Sequence, residues 1–232
     1  MFMGVPYEKE ENLRPVQVKG YSVEKIVVGY GGELRDECSM RKQTVGLRLR
    51  VWVITPNGKR KLVRNRWSRS FVQQWIDILY GHFRNTTSGF TVKRTDGTTA
   101  GNYYPHSIDT RWTAYYNSDL FGIVVGAGNN PVAVSDYKLQ SQIMHGTTAG
   151  KIYHGTCVGG LPYVEETSRK MIEFNRVFSN MTDYDIVVRE VGVYAQERQN
   201  YWYYCFVRDA IGPITVPAKG GIAVSYGFEL TL

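Results

Sequence analysis

The chain has 232 residues and a formal net charge of +7, and is 43% hydrophobic and 21% charged. That is an ordinary globular composition, neither charged enough to stay unfolded nor apolar enough to live in a bilayer. No apolar run reaches the roughly 18 residues a spanning helix needs, and Met1 to Glu8 has no basic stretch leading into an apolar one, so neither membrane insertion nor a secretory leader is expected.

Seventeen Tyr and 24 Gly favour many short strands joined by tight turns. The expected fold is mainly β: an antiparallel β-sandwich or jelly-roll-like domain with one amphipathic helix and an extended N-terminal arm. Residues 1–20 mix charges with Pro6 and Pro15 without periodicity and read as that arm; residues 21–232 form a single β-rich domain. Three widely spaced cysteines, Cys38, Cys157 and Cys205, lack a CxxC pairing or a histidine at zinc-finger distance. They read as reduced, buried thiols of a chain made in a reducing cytoplasm.

Residues 41–67 form a basic hairpin. Leu47, Leu49, Val51 and Val53 alternate with Arg48, Arg50, Trp52 and Ile54, the period-2 signature of a strand with one buried face. Thr55-Pro56-Asn57-Gly58 is a turn by chemistry, so Lys59 to Arg66 returns as the partner strand. No acidic residue lies between Glu37 and Asp77, whereas ten basic residues do. Such a single-sign block attracts an anionic partner.

A helix over 68–83 follows, with Ser68 as its N-cap and Phe71, Val72, Trp75, Ile76, Leu79 and Phe83 as the stripe laid on the sheet. Phe90 to Arg94 reads as a short strand turning at Thr95-Asp96-Gly97-Thr98, and residues 99–117 as a long aromatic loop. Residues 120–232 form the C-terminal sandwich part. Its strands are expected over 121–125, 165–178, 186–195, 201–207 and 222–230, and 136–144 is left as a helical turn or an extended piece.

Gly126-Ala127-Gly128 follows an apolar strand as a dinucleotide fingerprint does, but Pro131 stands at the third glycine position and offers no N–H. It reads as a turn. His82, His106, His145 and His154 show no HxxxH, HxH or HExxH spacing, and no GxSxG elbow occurs, so no enzyme, metal or cofactor is expected. Arg48, Arg50, Lys59, Arg60, Lys61, Arg64 and Arg66 are the candidate contacts for an anionic partner. With Trp52 among them they suit single-stranded nucleic acid, a protein interface or a solvated face. Tyr103, Tyr104, Trp112, Tyr115 and Tyr116 form the second candidate site, an aromatic loop for a sugar ring or a neighbouring subunit.

The stretch Gly122-Ile123-Val124-Val125-Gly126-Ala127-Gly128, continued by Asp136-Tyr137-Lys138-Leu139, resembles a segment of tailed-phage structural proteins in which a G[IV]VVGxG run leads into DYxL. Glu190-Val191-Gly192-Val193-Tyr194, and Arg208-Asp209 through Thr215-Val216-Pro217-Ala218 to Val224-Ser225-Tyr226, are similar to the same family. The likeness covers most of residues 66–232. It implies a non-enzymatic virion component, made in the host cytoplasm: a capsid-decorating, neck or collar, or tail subunit that forms homo-oligomers and contacts other virion proteins. Two rival expectations stand beside it. One is a receptor- or carbohydrate-binding module of a tail or head fibre, meeting a host surface glycan; the other is contact with packaged nucleic acid through the basic hairpin.

Overall fold

The computed structural model describes residues 44–84, 91–100, 110–160, 164–166, 169–197 and 200–231, all within one compact unit, Arg41–Leu232. The expected arm, Cys38, Tyr103 and Tyr104 lie outside the described residues. In β1 (Thr44–Ile54) the alternation is realised: Leu47, Leu49 and Val51 are fully buried while Arg48, Arg50 and Trp52 occupy the opposite, half-buried face. Burying each such apolar side chain contributes roughly 1.5–3 kcal/mol. The Gly58 amide donates to the Thr55 carbonyl at 2.8 Å and the Thr55 amide to the Lys59 carbonyl at 2.9 Å, which closes the turn into β2 (Arg60–Ser68).

After α1 (Gln73–Arg84) the strands are β3 (Val92–Lys93), β4 (Thr99–Ala100), β5 (Thr110–Arg111), β6 (Gly122–Gly126), β7 (Tyr153–Gly159), β8 (Val164–Glu166), β9 (Arg169–Ser179), β10 (Ile186–Glu197), β11 (Tyr203–Val216) and β12 (Gly221–Thr231). They build two antiparallel sheets, so the body is mainly β and sandwich-like. The first sheet runs β2-β1-β12-β9-β7 with β8 beside β9; the second runs β11-β10-β5 with β6 also on β10; β3 and β4 form a separate ribbon. Register places Leu49 opposite Tyr226 and Tyr226 opposite Phe174, an apolar row on the inward face of the first sheet.

Aromatic side chains fill the space between the sheets. Trp75 of α1 lies 5.1 Å from Phe206 of β11, and Trp112 lies 5.1 Å from both Phe174 of β9 and Phe228 of β12. Tilted and edge contacts at this spacing add to the area they bury. Trp112 is therefore a core residue, 7% exposed. Its expected place in an aromatic binding loop is corrected: the same indole that could stack on a sugar bridges the two sheets instead.

The helix also departs from expectation. Ser68 is the last residue of β2, where its hydroxyl donates to Asp209 at 2.7 Å, and α1 begins only at Gln73. The buried face of the helix is built on Trp75 and Ile78, while Ile76 and Phe83 are 59% and 79% exposed. An apolar stripe drawn through every hydrophobic position was too wide. Three other differences have plain causes. β7 carries two glycines and a bulge between His154 and Cys157, which hide its period. β11 runs past Gly212-Pro213, a turn-like pair that lies in an irregularity of the ladder with Gly212 at φ +72°; proline is tolerated at such a place on an edge strand. Residues 136–144 form no helix, lying across the outside of the second sheet.

Candidate functional site

The seven expected anion contacts divide into three groups. Arg48 donates to Glu229 at 2.9 Å and lies 4.2 Å over the Trp67 ring, and Arg50 reaches Glu173 at 3.3 Å. Burial opposes the charge on Glu229, but the bonds from Arg48 and Arg169 outweigh it and hold its carboxyl below the usual range. Arg64 and Arg66 do not share the face of Arg48 and Arg50. A register shift between Val51 and Trp52 accompanies the pairing, and Arg64 and Arg66 stand opposite the inward-facing Val51 and Leu49. Arg64 donates to the Ile211 carbonyl at 2.9 Å, and Arg66 donates to Asp209 at 3.3 Å and to the Ala210 carbonyl at 2.8 Å. These two arginines seal one edge of the sandwich. Of the seven, only Lys59, Arg60 and Lys61, exposed at the hairpin tip, have neither a side-chain hydrogen bond nor an ion pair among the described residues.

Asp209 is the anchor of that edge. Its carboxylate is buried and accepts hydrogen bonds from Ser68, Ser70, Tyr226 and Arg66 at 2.7, 3.1, 2.9 and 3.3 Å. Burial, with this carboxylate beside it, pushes the Tyr226 phenol well above its ordinary value, so the phenol stays a donor.

On the outside of the second sheet the pieces noted in the sequence meet in one knot. The buried Glu190 carboxylate accepts the backbone amides of Gly128, Gln140 and Ser141 at 3.1, 3.1 and 2.8 Å and the Arg208 Nε–H at 2.8 Å. Arg208 also donates to Asp136 at 2.7 Å and to the carbonyls of Pro131 and Asn130. A Cβ at Gly126 would stand 2.6 Å from the Glu190 carboxylate, and one at Gly128 would collide with the same group. The glycines therefore admit a carboxylate where a dinucleotide loop would admit a phosphate. The knot ties Gly126-Ala127-Gly128, Asp136-Tyr137-Lys138-Leu139, Glu190 and Arg208 into one scaffold, in which Arg208 pairs with both Asp136 and Glu190.

A third buried charge is hydrogen-bonded to no acid among the described residues. Arg176 of β9 is 1% exposed and donates to the backbone carbonyls of Gly155, Phe121, Ile123, Tyr115 and Ser118. Next to it His154 is enclosed, its two ring nitrogens 3.3 and 3.0 Å from the Ser118 and Ile143 carbonyls. Burial and then the Arg176 charge push its pKa down to about 4, so the ring is neutral at pH 7. His145 lies 5.8 Å away and accepts the His154 amide through Nδ1. Among the described residues no three His, Cys, Asp or Glu side chains come together as a metal site. Cys157 and Cys205 are free and buried, and burial pushes both thiols up. Neither is an activated nucleophile.

Of the aromatic loop, Tyr115 and Tyr116 are exposed, with Arg111 5.3 Å over the Tyr115 ring. A cleft that the sequence did not reveal lies elsewhere. Its volume is about 560 Å³, within the range of about 300–1,000 Å³ typical of small-molecule sites. The turn Arg94-Thr95-Asp96 forms one wall and Tyr201-Trp202-Tyr203, at the start of β11, another; the Thr95 amide donates to the Tyr203 carbonyl at 3.0 Å and joins them. Asp119 and Leu120 and the segment from Lys138 to Met144 complete it, over the Tyr194 hydroxyl. Arg94 covers the Trp202 ring at 3.7 Å, whereas Tyr201 is 65% exposed and held at φ +58°. Positive φ is costly for a bulky residue and clusters at functional places.

Set against protein-family models, curated proteins and solved structures, the chain has no match in any of the three. The class that fold and site define is a two-sheet antiparallel β protein with buried ionic scaffolding and a mixed aromatic and polar cleft.

Proposed function

We propose that the protein is a non-enzymatic structural subunit of a tailed-virus particle, a capsid-decorating, neck or collar, or tail component that works by assembling with copies of itself and with other virion proteins. The observation that carries this reading is the knot around Glu190. The residues on which the phage resemblance rests are spent on holding a glycine-rich segment against a sheet, which is scaffold work. Exposed apolar side chains, among them Ile76, Tyr115, Tyr116 and Val134, supply contact surface of the kind assembly uses. The internal pairing of Arg48, Arg50, Arg64 and Arg66 narrows the nucleic-acid alternative to the Lys59-Arg60-Lys61 tip.

Light scattering and negative-stain imaging of the purified chain test the proposal, with and without nucleic acid at two salt concentrations. Rings, tubes or a fixed oligomer without nucleic acid are expected. A monomer at every concentration that joins no particle would overturn the proposal; one that gains mass only with nucleic acid at low salt would transfer the function to the hairpin tip.

A further inference from the structure

We infer that the cleft between the Arg94–Asp96 turn and Tyr201–Tyr203 is a binding site for a neutral saccharide, one pyranose ring or the end of a short neutral oligosaccharide.

Charge comes first. The ionic groups lining the cleft are Arg94 and Lys138 against Asp96 and Asp119, two of each sign. Hydrogen bonds from the Thr98 hydroxyl and amide hold Asp96 below its usual range, so it is charged at neutral pH. A balanced set gives no net attraction to an anion such as a phosphate or to a cation, and suits a neutral ligand with many hydroxyls.

Polar groups come second. The Gln140 Oε1 accepts the Asn129 and Asn130 amides at 2.8 Å each, which fixes that side chain and leaves its NH2 to donate. Gln142 Nε2 donates to the Asp119 carbonyl, so its Oε1 is left to accept. The Tyr194 hydroxyl, 2% exposed on the cleft floor, accepts the Leu139 amide at 2.6 Å. Burial pushes that phenol up so that it keeps its proton, and among the described residues nothing accepts it. The cleft thus offers oriented donors and an oriented acceptor, the pairing that a hydroxyl, donor and acceptor at once, satisfies.

The apolar surface comes last. Tyr201 presents an exposed ring at the rim with Trp202, Tyr203, Leu120 and Met144 beside it. The C–H face of a pyranose is the apolar part of a sugar and packs on such a ring. The strained backbone at Tyr201 is kept in place because the Glu197 amide donates to the Trp202 carbonyl at 2.8 Å and the Asn200 amide to the Glu197 carboxylate at 2.7 Å.

The test is a glycan array probed with the full chain, followed by titration calorimetry with the best neutral disaccharide. Tyr201→Gly is the decisive variant, because glycine adopts φ +58° without strain and the fold is not put at risk. Tyr184→Ala, an exposed tyrosine away from the cleft, is the control. Binding of neutral glycans that weakens about tenfold or more in Tyr201→Gly and is unchanged in Tyr184→Ala is expected. An array with no signal, a signal confined to anionic glycans, or binding indifferent to Tyr201→Gly would overturn the inference. None of these outcomes bears on the assembly state, so the site and the structural role fail separately.

Discussion

The outer faces of the two sheets carry the same chemistry under opposite conditions. On the first sheet Arg48, Arg50 and Arg169 grip Glu229 and Glu173 with the guanidinium groups still a quarter to a third exposed. On the second, Arg208 and Glu190 are 3% and 0% exposed beneath the segment that runs from Gly128 to Ser141. Water screens the first set and leaves each pair weak; its exclusion from the second makes every unpaired charge expensive. A charged outer face is therefore no guide to what it does, since on one sheet the charges pair across neighbouring strands within reach of water and on the other they fasten a loop.

The comparison breaks first at the buried pair. Arg208→Met leaves Glu190 charged and unpaired, and a loss of about 3–5 kcal/mol is expected in urea denaturation. Adding Glu190→Met to it should return part of that loss, which would mark the charge left behind as the cost. A smaller effect comes from acid. His154 has a folded-state pKa of about 4 against an ordinary value of 6.5, so the unfolded chain binds the proton more readily. Its contribution is complete above pH 6.5 and is lost as pH falls toward 4, by roughly 3 kcal/mol at most. Denaturation midpoints across that range measure it, and His154→Gln should flatten the slope.

Arg48→Met on the first sheet should cost less than about 1 kcal/mol, because Arg169 still holds Glu229. A loss as large as that of Arg208→Met would erase the distinction between the faces. Smallest of all, the triple change of Lys59, Arg60 and Lys61 to Ala should leave stability within about 0.5 kcal/mol. If the tip touches nucleic acid, the same variant removes a salt dependence whose slope is no steeper than about −3.

Two long antiparallel strands were legible because alternation survives in them: Leu47, Leu49 and Val51, and Ile222, Val224 and Tyr226, are all buried in the core. β7 was not, since Gly155 and Gly159 break the period, and Pro213 disguised the continuation of β11. For the sites the obstacle is distance along the chain. Arg208 meets Asp136 across 72 positions and Glu190 meets Gly128 across 62, so no local pattern announces either bond, although every member stood in a motif already noted. The cleft is worse placed still, drawn from five separated places in the chain. Its best signal was the run Tyr201-Trp202-Tyr203-Tyr204, which reads as a strand because aromatic residues suit both strands and binding surfaces. Periodicity separated inward from outward at Leu47 and Arg48, but said nothing of whether an outward arginine such as Arg50 would find an acid on another strand.

β12 sits in the middle of its sheet, hydrogen-bonded to β1 on one side and to β9 on the other. During synthesis the first strand of that sheet leaves the ribosome well before the strand that must slot in beside it, by roughly 10 to 30 s at usual elongation speeds. Throughout that interval β1, and toward its end β9 as well, presents an open edge to every neighbouring nascent chain. Premature termination before Gly221 would consequently yield not a shortened protein but an adhesive one, and a chaperone that shields strand edges would raise the yield of soluble product more than any single stabilising substitution.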